Sequence, residues 1–275
     1  MKEPCPGKVF LGAILSGLTG MALATGAVTQ DAPPQDASLV NIEEFPQHVV
    51  GDLGFGAFES PSDTRGEIRS KRSSTRVLPY AYLDYGRFFA RVDTFGIKTF
   101  KMGYGYFELA GRITFDGFKT SNSALRGLTN RKNDIPLGIG TFQETPIGAF
   151  FLNAFYDVNQ SHGTMLEGLY TAEVKAGSIN FYPQIGAEYR NANFVNYYYG
   201  ITPAESAANG HYKVYEGKGT INPMVALQVE IPLNKFWVVN LYGRYKWLGD
   251  GIKNSPIVVK KTSQNYFVSL AYRFQ

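Results

Sequence analysis

From residue 49 onward the chain alternates apolar and polar residues with a period of two, in segments of about ten residues bounded by Gly, Asn, Pro and Ser clusters. A period of two sends successive side chains to opposite faces of an extended strand, so each segment predicts a strand with one greasy and one wet face. In 236–247, Trp237, Val239, Leu241, Gly243, Tyr245 and Trp247 share one face, and Val238, Asn240, Tyr242, Arg244 and Lys246 share the other. Segment 221–231 sets Val225, Leu227 and Val229 against Asn222, Gln228 and Glu230. Segment 105–115 sets Phe107, Leu109, Ile113 and Phe115 against Glu108, Arg112 and Thr114. Further along, Ile185, Ala187 and Tyr189 oppose Gln184 and Glu188, while Tyr170, Ala172 and Val174 oppose Glu167, Thr171 and Glu173. Segment 147–157 is apolar on both faces, which leaves its orientation open.

The full set of predicted strands is 49–58, 76–84, 87–94, 96–102, 104–116, 135–143, 146–157, 164–176, 178–199, 221–231, 235–248 and 264–274. With both termini on one side, the long gaps at 59–75, 117–134, 200–220 and 249–263 all fall at the opposite end, and the tight connections at 85–86, 144–145 and 232–234 fall beside the termini. Short turns inside and long loops outside, on an even number of strands, is the layout of a bacterial outer-membrane barrel. The sequence therefore predicts an all-β, transmembrane, antiparallel up-and-down barrel with both termini periplasmic. The short third and fourth strands and the overlong ninth leave ten as the alternative count to about twelve.

Composition sharpens this. Charged residues make up 18% of the chain, below the roughly 25% of soluble domains, and aromatics 15%. Mean hydropathy is nevertheless −0.17, and no apolar run reaches the roughly 18 residues of a membrane helix. Before residue 49 two segments differ from the rest. Residues 1–24 carry Lys2 and Lys8, an apolar stretch from Phe10 to Leu23, and small residues at Ala22 and Ala24, the pattern of a secretory signal peptide. Residues 25–48, rich in Pro, Asp and Gln, read as a flexible periplasmic lead-in to a barrel spanning 49–275. The single cysteine, Cys5, lies inside the predicted signal peptide, which suits an oxidising compartment. A net charge of +4 without a basic, aromatic-interleaved run does not point to nucleic acid.

The last strand carries the most specific signal. In 264–275, Tyr266, Val268, Leu270, Tyr272 and Phe274 share one face, and an amphipathic final strand with a terminal aromatic looks like the signal read by the outer-membrane assembly machinery; here Gln275 follows the aromatic. The wet faces collect Glu108, Arg112, Glu167, Glu173, Glu188, Glu230, Arg244, Lys246 and Arg273. Mixed signs in a narrow lumen pair with one another, because an unpaired buried charge is expensive. That favours a plugged interior over a solute channel.

No catalytic, cofactor-binding or metal-ligating group stands out. The histidines are His48, His162 and His211; Ser161-His162 reads as a polar loop tip, since neighbours on an extended chain point apart. The Gly54-Gly56 and Gly103-Gly105 pairs lie in predicted strands, where glycine eases curvature. Arg65, Arg69, Lys71, Arg72 and Arg76 cluster in the first long loop, where lipopolysaccharide phosphate is a natural partner.

The stretch Tyr197-Tyr198-Tyr199-Gly200-Ile201-Thr202-Pro203-Ala204-Glu205-Ser206, followed by Gly249-Asp250 and Ser255-Pro256-Ile257-Val258-Val259, resembles the MipA/OmpV family. Leu78-Pro79-Tyr80, Gly86-Arg87-Phe88-Phe89 and Leu125-Arg126-Gly127-Leu128 match its landmarks in the same order. The resemblance implies an outer-membrane barrel without known catalysis or cofactor. Its implied role is a scaffold bridging a lytic murein transglycosylase to a penicillin-binding synthase, other members being surface antigens with an adhesin-like character. The Tyr197–Ser206 motif is expected to be architectural, a strand leaving the membrane at an aromatic girdle and turning at Gly200 and Pro203.

Overall fold

The computed structural model describes residues 45–60, 63–64, 75–120 and 124–274. The predicted signal peptide and lead-in up to residue 44 lie outside the described residues, as do Arg65, Arg69, Lys71 and Arg72 of the basic cluster and Gln275. The strands are β1 (Val50–Glu59), β2 (Arg76–Tyr85), β3 (Phe88–Arg91), β4 (Thr94–Met102), β5 (Gly105–Arg112), β6 (Pro136–Thr145), β7 (Gly148–Asp157), β8 (Thr164–Thr171), β9 (Val174–Ala176), β10 (Ile179–Arg190), β11 (Thr220–Pro232), β12 (Trp237–Trp247) and β13 (Thr262–Phe274). Neighbours pair antiparallel; β8 and β9 both pair with β10 and form one stave interrupted at 172–173. Pairing of β10 with β11 and of β1 with β13 closes a cylinder of twelve staves. At the β1–β13 seam, Asp52 stands opposite Arg273.

The burial pattern is inside out. Leu53, Phe55, Leu109, Ile139, Leu152, Ile185, Leu227, Leu241, Val268 and Leu270 are exposed on the outer surface, whereas Asp52, Glu108, Glu188, Asn222, Glu230, Asn240 and Ser269 are buried within. Each large apolar side chain left in water forgoes about 1.5–3 kcal/mol, so an outer face of this kind is stable only in lipid. Tyr85, Tyr104, Phe236 and Trp237 crowd one end of this belt and Tyr156, Tyr189 and Trp247 the other, the two aromatic girdles of a membrane barrel. The undecided strand β7 is now oriented: Leu152 and Tyr156 face out, and Phe155 and Asp157 are buried inside. On β13, Tyr266, Val268 and Leu270 face outward, with the rings of Tyr272 and Phe274 packed edge to face at 5.0 Å.

Turns at Gly86, Gly103 and Gly177, all with positive φ, lie at the same end as the described chain termini. Gly103 thus sits in the turn between β4 and β5, in the gap between the predicted strand bounds, and not in a strand with Gly105. Long connections 113–135, 191–219 and 248–261 gather at the opposite end, where β1 also ends and β2 begins, the parity the sequence predicts. Three predicted strands were too long, the third, 87–94, being reduced to Phe88–Arg91. The fifth stops at Arg112 and not at 116, and the ninth stops at Arg190, because 192–199 is helical.

An ion-paired lumen under a packed cap

The lumen is filled by charged pairs in tiers. At the end bearing the termini, Arg273 binds Asp52 through both Nε (2.6 Å) and Nη2 (2.7 Å) and also reaches Glu230 at 3.0 Å. In the middle, Arg91 binds Glu108 through two 2.8 Å hydrogen bonds. Above it Arg112 grips Glu167 at 3.0 and 2.8 Å, and at the loop end Glu188 accepts from Arg190 and Lys246, each at 3.0 Å. Two-pronged guanidinium–carboxylate contacts are the strong form of ion pair. The guanidinium groups also lie over rings, Arg91 above Phe89 at 4.2 Å and Arg112 above Phe155 at 4.7 Å. Arg244 meets the Asn265 carboxamide, and Glu173 pairs with Lys175 at 3.5 Å near the turn at Gly177. Register explains the partners: Glu188 and Glu167 stand directly opposite each other on β10 and β8, and two facing carboxylates demand cations from elsewhere in the lumen.

The loop end is closed by a cap with its own hydrophobic core. Three helices lie in it: α1 (Ala192–Tyr199), α2 (Pro203–Asn209) and α3 (Asp250–Lys253). The Asn191 side chain caps α1 through Phe194 N, and Thr202 and Glu205 form a reciprocal capping box on α2, with Pro203 in its first turn and Gly210 in the left-handed region at its end. Leu125, Val195, Tyr198, Ile201 and Ile257 are almost wholly buried, joined by Phe118, Leu128, Phe194, Tyr212, Leu248, Ile252 and Val258. This core draws on three loops far apart in sequence, and Thr64 of a fourth bridges to Val258.

Two polar knots fasten the cap. Glu205 takes Arg131 at 2.9 and 3.2 Å and the amide of Thr129 at 2.9 Å, tying α2 to the 113–135 loop. Burial opposes the charge of Glu205, but the Arg131 guanidinium and the amides of Thr129 and Thr202 outweigh it and hold the carboxyl at about 2. In the second knot, Tyr198 donates to Asp134 Oδ1 at 2.8 Å, and Ser161 Oγ lies 3.0 Å from Asp134 and 3.1 Å from Asp157. Ser161 therefore engages two carboxylates beneath the loop tip. Burial, with the charge of Asp157 added, pushes Asp134 up to about 6. An acid whose native pKa lies above its unfolded value destabilises the native state as pH rises through that interval. Cap stability should accordingly fall between about pH 4 and 6, and Asp134→Asn should flatten the dependence. Protease nicking of the cap loops against pH checks this; protection that grew over that interval would contradict it. Glu205 acts in the opposite sense, but only as pH falls below the ordinary carboxylate range toward 2.

The motif residues serve this cap. Tyr197 OH receives the amide of Lys132 at 3.0 Å and donates to Gln160 at 3.1 Å; the Tyr199 carbonyl accepts from Ser255 Oγ at 2.6 Å. Gly200 ends α1, and Pro203 and Glu205 open α2, so the expected strand exit with turns at Gly200 and Pro203 is corrected to a helix, a break and a second helix. Gly249 precedes α3 and donates to Asn222 of the lumen wall at 2.9 Å, and a β-carbon there would meet Thr220 Oγ1 at 2.0 Å. Asp250 is exposed and pairs with Lys253 at 2.6 Å, while Pro256 leads from buried Ser255 to Ile257. Asp52, Arg91, Arg131, Asp134 and Asp157 were missed as paired groups; their strand phase or loop position was visible, but their partners depend on register.

A closed cylinder with an apolar waist, paired charges inside and a packed cap defines an integral outer-membrane β-barrel. The family model described as "MltA-interacting protein MipA" matches residues 53–274, and the chain belongs to that family. It is 24% identical over 226 residues to the putative outer membrane protein YiaT of Escherichia coli K12, covering 81% of this chain and 90% of that one. It is also 24% identical to the outer membrane protein Omp26La of Vibrio anguillarum, covering 68% and 70% of the two chains. To the MltA-interacting protein of E. coli K12 it is 26% identical over 161 residues, 57% of this chain and 64% of that one. Among solved structures, outer-membrane expressed OmpT of Vibrio cholerae aligns over 82% of this chain and 97% of that one at 10% identity, with a TM-score of 0.26, too slight a likeness to carry an argument.

Proposed function

We propose that this barrel is a non-enzymatic scaffold of the outer membrane, linking murein hydrolase and synthase machinery during peptidoglycan remodelling. The observation that carries the reading is the closed lumen. Bidentate pairs cross the terminus end and the middle of it, single contacts join Glu188 to Arg190 and Lys246 at the loop end, and the cap lies over that end, which favours action through surfaces over passage of solute. A relative bears the name MltA-interacting protein, which makes a lytic transglycosylase the first partner to seek, with a penicillin-binding protein beside it.

With the termini in the periplasm, the lead-in is presented to such partners from a fixed root. Phe45 is buried, its ring 5.1 Å from Tyr106 and beneath Arg87 at 5.8 Å, and Pro46 O accepts from Gly86 N at 2.8 Å. On the same reading β13 meets the assembly machinery during insertion, and the outer rim meets lipopolysaccharide. The second reading, an adhesin-like surface-recognition barrel, is favoured by the ordered cap.

Two measurements test the proposal. Purified protein in planar bilayers should give no steady, reproducible openings; such openings would sink the closed reading and restore the channel. Deleting residues 25–44, which spares Phe45, should abolish capture of a purified transglycosylase while heat-modifiable gel mobility persists. Unchanged capture would remove the lead-in as the docking element.

A further inference from the structure

The barrel wall is incomplete on one side. Strand β3 has four residues and pairs with β2 only from Tyr82 to Tyr85. The last link is Val92 N to Ala81 O at 2.7 Å, and among the described residues the backbone of 76–80 has its ladder with β1 alone. Backbone groups alternate along an antiparallel strand, so Val77 and Pro79 share with Ala81 the edge that β3 leaves uncovered. Pro79 has no N–H to leave unpaired there, and proline is confined to such edges. On the other flank β5 ends at Arg112, with Ile113 N bound to Asp93 O at 2.8 Å, and residues 113–116 continue outside any strand. Among the described residues, a notch therefore opens in the loop-end half of the wall. Its rim is apolar: Val77 is 76% exposed, Ile113 51% and Phe115 38%.

Behind the notch lies a cavity of about 120 Å³. The guanidinium of Arg76 lies over the Phe115 ring at 5.3 Å at its entrance. Lys246, Arg190, Glu188, Asp63 and Asp116 also line the cavity. Cations and carboxylates are balanced, three against three, Glu188 holding Arg190 and Lys246 and Asp116 lying 3.8 Å from Arg190, so a ligand of one sign upsets that balance while a zwitterion leaves it neutral. Arg190, 8% exposed, has its Nε without a hydrogen-bond partner among the described residues.

We propose that the notch is a lateral entrance from the membrane to a binding site for a single-chain amphiphile with a zwitterionic phosphate–ammonium head. The phosphate faces Arg76 and Lys246, the ammonium faces Asp63 and Asp116, and the acyl chain lies between Val77 and Phe115. No conducting lumen is required, so the site is compatible with a closed scaffold and stands or falls apart from it.

The test uses the intact chain in nanodiscs, with lysophosphatidylethanolamine bearing a photoreactive acyl chain. Labelling should be saturable, concentrate in peptides spanning 75–81 and 113–118, and be displaced by unlabelled lysophosphatidylethanolamine. Arg76→Glu should weaken it about tenfold, as the loss of a charge-assisted contact does, and Arg76→Lys should retain most of it. Even labelling around the belt, including peptides holding Leu53 and Leu152, would overturn the site. Equal displacement by glycerophosphoethanolamine, the same head without a chain, would overturn entry from the membrane and assign the chamber to a soluble zwitterion. These competition arms need no variant, so the outcome does not depend on whether Arg76→Glu assembles.

Discussion

Tyr198→Ala should unfold the cap and leave the barrel standing. The ring is completely buried, packed against Phe194 at 4.6 Å and Tyr197 at 4.9 Å, and its hydroxyl joins Lys132 O at 2.9 Å and Asp134 at 2.8 Å. Removing a buried aromatic costs about 3–5 kcal/mol, and Asp134 loses a donor at a cost of about 1–3 kcal/mol more. That loss is comparable to the whole stability of a small folded layer. The staves do not depend on this ring, because their ladders pair strand with strand. Trypsin should then cut at Lys213 and Lys218 much faster, with the heat-dependent gel shift retained. Tyr198→Phe keeps the ring and should show a much smaller change. A Tyr198→Ala cap as resistant as the parent would mean that the three loops do not share one cooperative core.

The second large effect is expected at Arg112. Arg112→Leu removes the cation bound to Glu167, whose carboxylate stands opposite Glu188 on the adjacent strand. Leaving a buried charge unpaired costs about 3–5 kcal/mol. The variant should lower the temperature at which the folded band is lost in SDS, or fail to assemble. Arg112→Leu combined with Glu167→Leu should recover most of the loss, since apolar replacement of a whole pair is often neutral. A double variant no better than the single one would show that Arg112 acts through its packing on Phe155 and not through its charge.

The staves were legible because two solvents impose opposite demands on alternate residues, and along Thr220–Pro232 and Trp237–Trp247 only inward Met224, Ala226 and Val238 blur that contrast. The cap was not legible in the same way. In Ala192–Tyr199 the run of tyrosines and Val195 favours extended structure by propensity, and the stretch continues the strand before it without interruption. What breaks it is local: Asn191 capping Phe194 N, and the Thr202-Pro203-Ala204-Glu205 run, a capping box with proline at the helix start. Those signals were in the sequence and weigh more than propensity over so short a helix. The inward charges could be assigned to a face, but Arg91 and Asp52 could not be matched to Glu108 and Arg273. The matches depend on register and on side chains that cross the lumen, which no local pattern encodes.

The seam between β1 and β13 has a consequence for how the molecule is made. The two strands lie more than two hundred residues apart in the chain, and the guanidinium of Arg273 reaches across to Asp52 and on to Glu230. Until the last strand docks, Asp52 and Glu230 are without the guanidinium that joins them in the closed barrel. Closing the cylinder and forming that three-member cluster are therefore one event. The smallest slip that keeps the greasy face outward is two residues, and it would bring Ala271 opposite Asp52. A slipped closure would therefore forfeit the pairing of Arg273 with Asp52, so the ion pair favours the native register over its nearest alternative.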